Sequence, residues 1–237
     1  MVIELKNVSV YHPDALSGKV KKGGGDLVLS NVTLSVGEGE MVYFIGKVGS
    51  GKSSLLKVLY AELPLVEGYG TIAGFDLRQM KRSDIATLRR NIGIVFQDNQ
   101  LLTDRNVFHN LHYVMQATGW KNEVNMRRKI EQVLELVGLQ NKIYKMPFEL
   151  SGGEQQRLCI ARALINNPKI ILADEPTGNL DPAATDEVMR LFKRIVNGGC
   201  SIVMSTHNLN IIEEYPSRTI RFSKGAVEEL DIASILS

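Results

Sequence analysis

The sequence predicts an α/β fold: a mainly parallel sheet flanked by helices, with an antiparallel β edge and an inserted helical subdomain. Three observations carry this. The apolar run at 41–45 passes through a glycine loop into a helical stretch at 54–59. The runs at 169–173 and 201–205 are short, mostly apolar and rich in β-branched residues, as strands covered on both faces are. Between about 98 and 167 the strand-like runs give way to a 3.6-residue apolar period. A chain of 237 residues therefore reads as one domain, 1–237, with a core from 1–97 and 168–237 and a helical subdomain over 98–167.

Composition narrows the function. A 44% hydrophobic and 23% charged chain is ordinary for a globular protein. A formal net charge of +2 gives no basic stripe for nucleic acid. No apolar run approaches the roughly 18 residues that span a bilayer, and residues 1–6 lack the charged start and apolar stretch of a signal peptide. The expectation is a cytosolic protein unless a partner holds it at a membrane. Cys159 and Cys200 are isolated from each other and from any histidine cluster, so neither a disulfide framework nor a zinc site is indicated.

In chain order, residues 2–11 and 27–36 are rich in β-branched residues, with Val32, Leu34 and Val36 on one face. Both read as strands of the antiparallel edge. Tyr11, at the end of the first, offers an aromatic face for a nucleobase, and His12 competes for that place. The basic, glycine-rich stretch 17–25 reads as a mobile loop. Next comes Gly46-Lys47-Val48-Gly49-Ser50-Gly51-Lys52-Ser53, which fits G-x-x-x-x-G-K-[ST] in the required strand-to-helix setting. Its backbone N–H groups would cradle phosphate oxygens, with Lys52 adding a charge and Ser53 a hydroxyl for Mg²⁺. A turn at 63–71 leads to short strands, 83–90 reads as a basic helix, and the strand at 92–96 delivers Gln97 at its carboxyl end.

Within the helical stretch, Val107, Leu111, Val114 and Met115 share one face, as do Ile130, Val133, Leu134 and Val137, with Gly138 as a stop. Ser151 and Glu154 in Leu150-Ser151-Gly152-Gly153-Glu154 form a capping box that opens a helix. Glycines at 152 and 153 weaken a first turn by roughly 1 kcal/mol each, and close approach of a ligand's oxygens to bare N–H groups would explain them. The alternative is a capped helix and nothing more. The strand at 169–173 ends in Asp174 and Glu175, placing a candidate Mg²⁺ ligand and a candidate for aligning water where α/β sheets gather their chemistry. The strand at 201–205 brings Thr206 and His207 to the same edge. A hairpin around 223–225 closes the chain.

With these pieces in this order, the chain resembles the ATPase subunits of ABC transporters over essentially its whole length. The resemblance rests on the phosphate loop 46–53, the glutamine Gln97, the signature 150–154, the strand ending in Asp174-Glu175, the turn Asn179-Leu180-Asp181 and the histidine His207. It implies a P-loop NTPase core, ATP and Mg²⁺ as cofactors, and an ATP-driven head-to-tail homodimer. In such a dimer Ser151, Gly152, Gly153, Glu154 and Asp181 of one copy complete the site built on residues 46–54 of the other. Ser53, Gln97 and Asp174 are then the metal ligands, and Lys52, Gln97, Glu175 and His207 the catalytic group. The stretch Phe96-Gln97-Asp98-Asn99-Gln100-Leu101-Leu102-Thr103-Asp104-Arg105-Asn106-Val107 is similar to the FtsE cell-division branch. That branch implies an FtsX-like permease at the cytoplasmic face of the inner membrane, docked near Leu101, Leu102 and Tyr113. ATPases of lipoprotein release or macrolide export share residues 173–181, and soluble ABC factors of DNA repair or translation share the chemistry alone.

Overall fold

Two sheets share the apolar side chains of the first seventy residues. The computed structural model describes residues 1–14, 20 and 25–231. The loop expected at 17–25 therefore lies outside the described residues, apart from Val20 and Gly25. Strands β1 (Ile3–Tyr11), β2 (Leu27–Val36), β4 (Glu67–Ile72) and β5 (Phe75–Asp76) form an antiparallel sheet in the order β2-β1-β4-β5. Val32, Leu34 and Val36 are all buried, as the alternation of β2 requires.

The second sheet runs β10-β9-β3-β8-β7-β6, from β3 (Met41–Ile45), β6 (Ile92–Val95), β7 (Ile170–Asp174), β8 (Ser201–Thr206), β9 (Arg218–Ser223) and β10 (Ala226–Leu230). Its neighbours pair in parallel except in the β9–β10 hairpin. The central strands are covered on both faces, which is why they lack polar alternation. Val42, Phe44, Leu172 and Val203 face the antiparallel sheet and helix α1 (Lys52–Leu59). Tyr43, Ile171, Ala173, Ile202 and Met204 face the other way.

That second face is continuous with the core of the helical region. Helices α3 (Val107–Ala117), α4 (Glu123–Leu136), α5 (Gly152–Leu164) and α6 (Pro182–Asn197) bury Leu111, Ile130, Leu158 and Phe192 in the same cluster. Asn106 caps α3 by accepting from the His109 N–H at 2.9 Å, and Asn122 caps α4 by accepting from the Asn125 N–H at 3.0 Å. Helix α2 (Arg82–Asn91) and the short α7 (Asn210–Glu214) complete the set. Among the described residues, no helix is long and apolar enough to cross a membrane.

Helix α5 is wedged between two neighbours at small residues. A Cβ on Gly93 of β6 would lie 2.9 Å from the Ala163 carbonyl, so glycine sets how closely strand and helix approach. A Cβ on Gly153 would lie 2.9 Å from the Ala184 Cβ of α6. The buried Gly153 thus has a reason within the chain, packing of α5 on α6, where ligand approach was expected. Gly152 is exposed, and a Cβ there would meet only Leu180, at 3.8 Å.

Candidate active site

Parallel strands end their carbonyl edges together, so β3, β7 and β8 bring Gly46, Asp174 and His207 to one rim, with Gln97 two residues beyond β6. The loop from β3 to α1 needs glycine for backbone reasons. Gly46 sits at φ 147°, with a would-be Cβ 2.4 Å from the Phe222 carbonyl. Gly51, the N-cap of α1, sits at φ 101°, and a Cβ there would strike Leu29 at 2.8 Å. Lys52 turns back into this loop. Its Nζ donates to the carbonyls of Gly46 at 2.7 Å and Lys47 at 3.2 Å, and the residue is only 5% exposed.

The rim residues are linked by hydrogen bonds. Ser53 Oγ donates to Asp174 Oδ1 at 3.0 Å, and Ser205 Oγ donates to the same oxygen at 2.5 Å. Glu175 stands between two cationic or potentially cationic groups: Oε1 lies 3.9 Å from Lys52 Nζ and Oε2 lies 2.8 Å from His207 Nδ1. Its side chain is 11% exposed against 59% for His207, so the carboxylate is sheltered and the imidazole open. Glu175 adopts φ 46°, an unfavourable left-handed conformation for a non-glycine residue, and its N–H donates to both the carbonyl and the Oγ of Ser205. Sequence reasoning missed Ser205, which sets both acidic residues in place. The available signal was a hydroxyl side chain near the carboxyl end of a buried strand, next to Thr206 and His207.

A cavity of about 230 Å³ opens over the loop and is lined by Val48, Gly49, Ser50, Gly51, Lys52, Ser53 and Ser54, with Gln97, Glu175, His207 and His12. Gly46 and Lys47 border a neighbouring cavity with His207 and Arg221. A larger one, about 570 Å³ between α4, α5 and α6, carries arginines and a lysine around a single carboxylate, Glu187, and shares no lining residue with the cavity over the glycine loop. The chemistry, not the volume, selects the smaller cavity.

Tyr11 requires a correction. Its side chain is buried, 9% exposed, and its hydroxyl donates to Glu67 Oε2 at 2.7 Å, so the ring offers no open face to a base. The cause is a bulge: Asn7 takes φ 52° and the pairing of β1 shifts register past it. Residues Val8, Ser9, Val10 and Tyr11 are consequently all buried. His12 is exposed at the cavity mouth instead, with Nε2 3.0 Å from Ser54 Oγ.

The residues from Ser151 to Glu154 do not line the cavity over the loop. Ser151 caps α5, its Oγ accepting from the Glu154 N–H at 3.2 Å while Glu154 Oε2 accepts from the Ser151 N–H at 2.9 Å. That backbone bond, with Lys142 nearby, holds the Glu154 carboxyl below the usual carboxylate range. Asp181 similarly caps α6 by accepting from the Ala184 N–H at 2.9 Å. Ser53, Gln97 and Asp174 supply a hydroxyl, an amide and a carboxylate, hard oxygen donors of the kind Mg²⁺ takes together with nucleotide phosphates. The residues present fit the ion.

Comparison with known proteins gives the same family by three routes. The family model described as ABC transporter matches residues 29–178. The cell division ATP-binding protein FtsE of Streptococcus pneumoniae is 45% identical over 207 residues, covering 87% of this chain and 90% of that protein. FtsE of Escherichia coli K12 is 40% identical over 202 residues, 85% and 90% of the two chains. Among solved structures, a dimeric ATP-binding cassette, MJ0796, in a post-hydrolysis state bound to ADP and Pi superposes with a TM-score of 0.81 at 31% identity over 97% of this chain and 98% of that chain. CbiO1 of Clostridium perfringens, part of an ABC transporter complex, superposes with a TM-score of 0.85 at 25% identity over 99% and 90%. The three comparisons agree, and the chain belongs to the ABC transporter family of ATP-binding proteins.

Proposed function

We propose that the chain is the Mg-ATP-hydrolysing subunit of an FtsE-like membrane complex, working as a homodimer on an FtsX-like permease at the cytoplasmic face of the cell membrane. The observation that carries the hydrolytic part is the sheltered Glu175 carboxylate, held between Lys52 and His207 at the mouth of the glycine loop. The loop amides and Lys52 bind the phosphates, Lys52 exchanging its carbonyl partners for phosphate oxygens. Ser53 and Gln97, with Asp174 behind them, hold Mg²⁺, which when bound neutralises charge on the phosphate oxygens. Glu175 orients a water in line with the γ-phosphorus and accepts its proton as the new P–O bond forms and the β–γ bridging bond breaks. His207 donates to a γ-phosphate oxygen. The imidazole of His12 faces the base.

The position of Ser151 supports the dimer. Its helix N-terminus and the loop at Gly46 are both anion-binding devices, yet the cavity over the loop includes no residue of the signature. A second copy, docked head to tail, brings them together on one nucleotide, as the notion of a γ-phosphate at an interface requires. The cell-division reading is supported by the FtsE relatives and by the 96–107 sequence. Replacing Glu175 by Gln should lower ATP turnover by orders of magnitude while leaving nucleotide binding intact. Hydrolysis by that variant at the wild-type rate would sink the role given to Glu175.

A further inference from the structure

Helix α5 carries Ser151 at its tip, and three side chains on one of its faces reach a single target. Gln155, Cys159 and Arg162 follow the i, i+4, i+7 spacing that puts residues in a row along a helix. Arg162 donates from Nη2 to the Asn99 carbonyl at 2.9 Å and from Nη1 to the Gln100 carbonyl at 2.6 Å. Cys159 Sγ donates to the Asn99 carbonyl at 3.0 Å, and the Asn99 side chain donates to Gln155 Oε1 at 3.3 Å. Burial raises the Cys159 thiol to about 11, so it remains a neutral donor. Gln100 itself is held at φ 45°, a left-handed conformation its side chain disfavours.

The next residues are bound to the same body. Asn110 of α3 is 1% exposed and spends its whole amide on this stretch. It accepts from the Leu102 N–H at 2.9 Å and donates to the carbonyls of Leu102, Arg105 and Asn106 at 3.0, 2.9 and 3.1 Å. Segment 99–106 is therefore rigid with the helical region, while Gln97 and Asp98 are exposed and no side-chain hydrogen bond holds either among the described residues. The joint between sheet and helices falls at these two residues.

We propose that Arg162 is a positioning residue that fastens the segment following Gln97 to helix α5, so that displacement of Gln97 in one site is carried along the helix to Ser151, which serves the site in the other half of the dimer. From Ser151 to Arg162 the helix spans about 16 Å at 1.5 Å per residue, a rigid lever. The two sites of the dimer are thereby coupled through each chain. This rests on the roles given to Gln97 and Ser151 above.

The test compares full-length Arg162→Gln and Arg162→Lys with the wild type in ATP binding, steady-state hydrolysis against ATP concentration, and amide exchange at 98–102. For Arg162→Gln the expected result is Mg-ATP affinity within about twofold of wild type, a kcat lowered about tenfold, and a Hill coefficient falling toward one, with faster exchange confined to 98–102. Arg162→Lys, which can still reach one carbonyl, should recover part of kcat. In an Glu175→Gln background, Arg162→Gln should raise the ATP concentration needed for dimerisation several-fold. The proposal is overturned if Arg162→Gln keeps the wild-type kcat, cooperativity and dimerisation, or if affinity, kcat and thermal stability all fall together, the mark of a merely structural residue. Failure of the underlying reading looks different: the wild type itself would then show no ATP-dependent dimer and no loss of turnover on Glu175→Gln.

Discussion

At the scale of single residues, His12 and Tyr11 exchange the places that their order in the sequence suggests. Tyr11 turns inward because the bulge at Asn7 cancels the two-residue alternation of β1, and no pattern of apolar residues announces that reset. His12→Ala should therefore weaken ATP binding several-fold in equilibrium titration, whereas Tyr11→Phe, which removes the bond to Glu67, should leave it unchanged and cost about 1 kcal/mol of stability. The reverse pattern would restore Tyr11 to the base. Lys52, Ser53, Asp174, Glu175 and His207 were legible because motif spacing and strand ends locate them without knowledge of side-chain direction. Ser205 was not, since a buried serine in a strand has the same signature whether it satisfies a backbone group or orients an acid. Glu154 allows a pH prediction with a definite sign. Its folded-state pKa lies below the unfolded value, so the stabilisation it gives α5 is present above the ordinary carboxylate range and is lost as pH falls through the depressed value. Glu154→Ala should accordingly lower the unfolding midpoint at pH 7 and have little effect in strong acid, read by circular dichroism.

Among elements, α5 is the piece whose surroundings decide most. One face is pinned to 99–100, the opposite face closes on α6 at Gly153 and Ala184, and its last turn meets β6 at Gly93. The strands and helices themselves follow closely from periodicity and caps, as α3 and α4 show with Asn106, Asn122 and the stop at Gly138. What periodicity could not give is the reason for Gly153. A glycine in a helix's first turn reads the same from the sequence whether a phosphate or a neighbouring helix approaches it. The structure shows the neighbouring helix in that place, at 2.9 Å from a would-be Cβ. Gly153→Ala should overpack the α5–α6 contact and destabilise by about 1–3 kcal/mol, and adding Ala184→Gly should return part of that loss in a double-mutant cycle followed by urea unfolding. A fully additive pair would show that the two residues do not meet.

For the whole molecule, the proposed head-to-tail dimer makes the glycine loop a half-site whose complement is the start of α5 in a second copy. ATP should convert Glu175→Gln from monomer to dimer on size exclusion, and Ser151→Arg should prevent this while leaving nucleotide bound to the monomer. The carboxylate of Asp174 adds a condition on how the site fills. Its Oδ1 already accepts two hydroxyls, one from α1 and one from β8. No group of three or more acidic, histidine or cysteine side chains suited to a metal ion occurs among the described residues. A bare cation would have to displace hydrogen bonds for few new ligands, whereas a cation carried on a nucleotide brings its own phosphate oxygens. The order of loading is thus written into one oxygen atom: Mg²⁺ alone should leave the unfolding temperature where it was, and Mg-ATP at a hundred times its Kd should add about 2.7 kcal/mol. On this reading metal and nucleotide enter as a single solute, Mg-ATP, and the protein has no separate response to the bare ion.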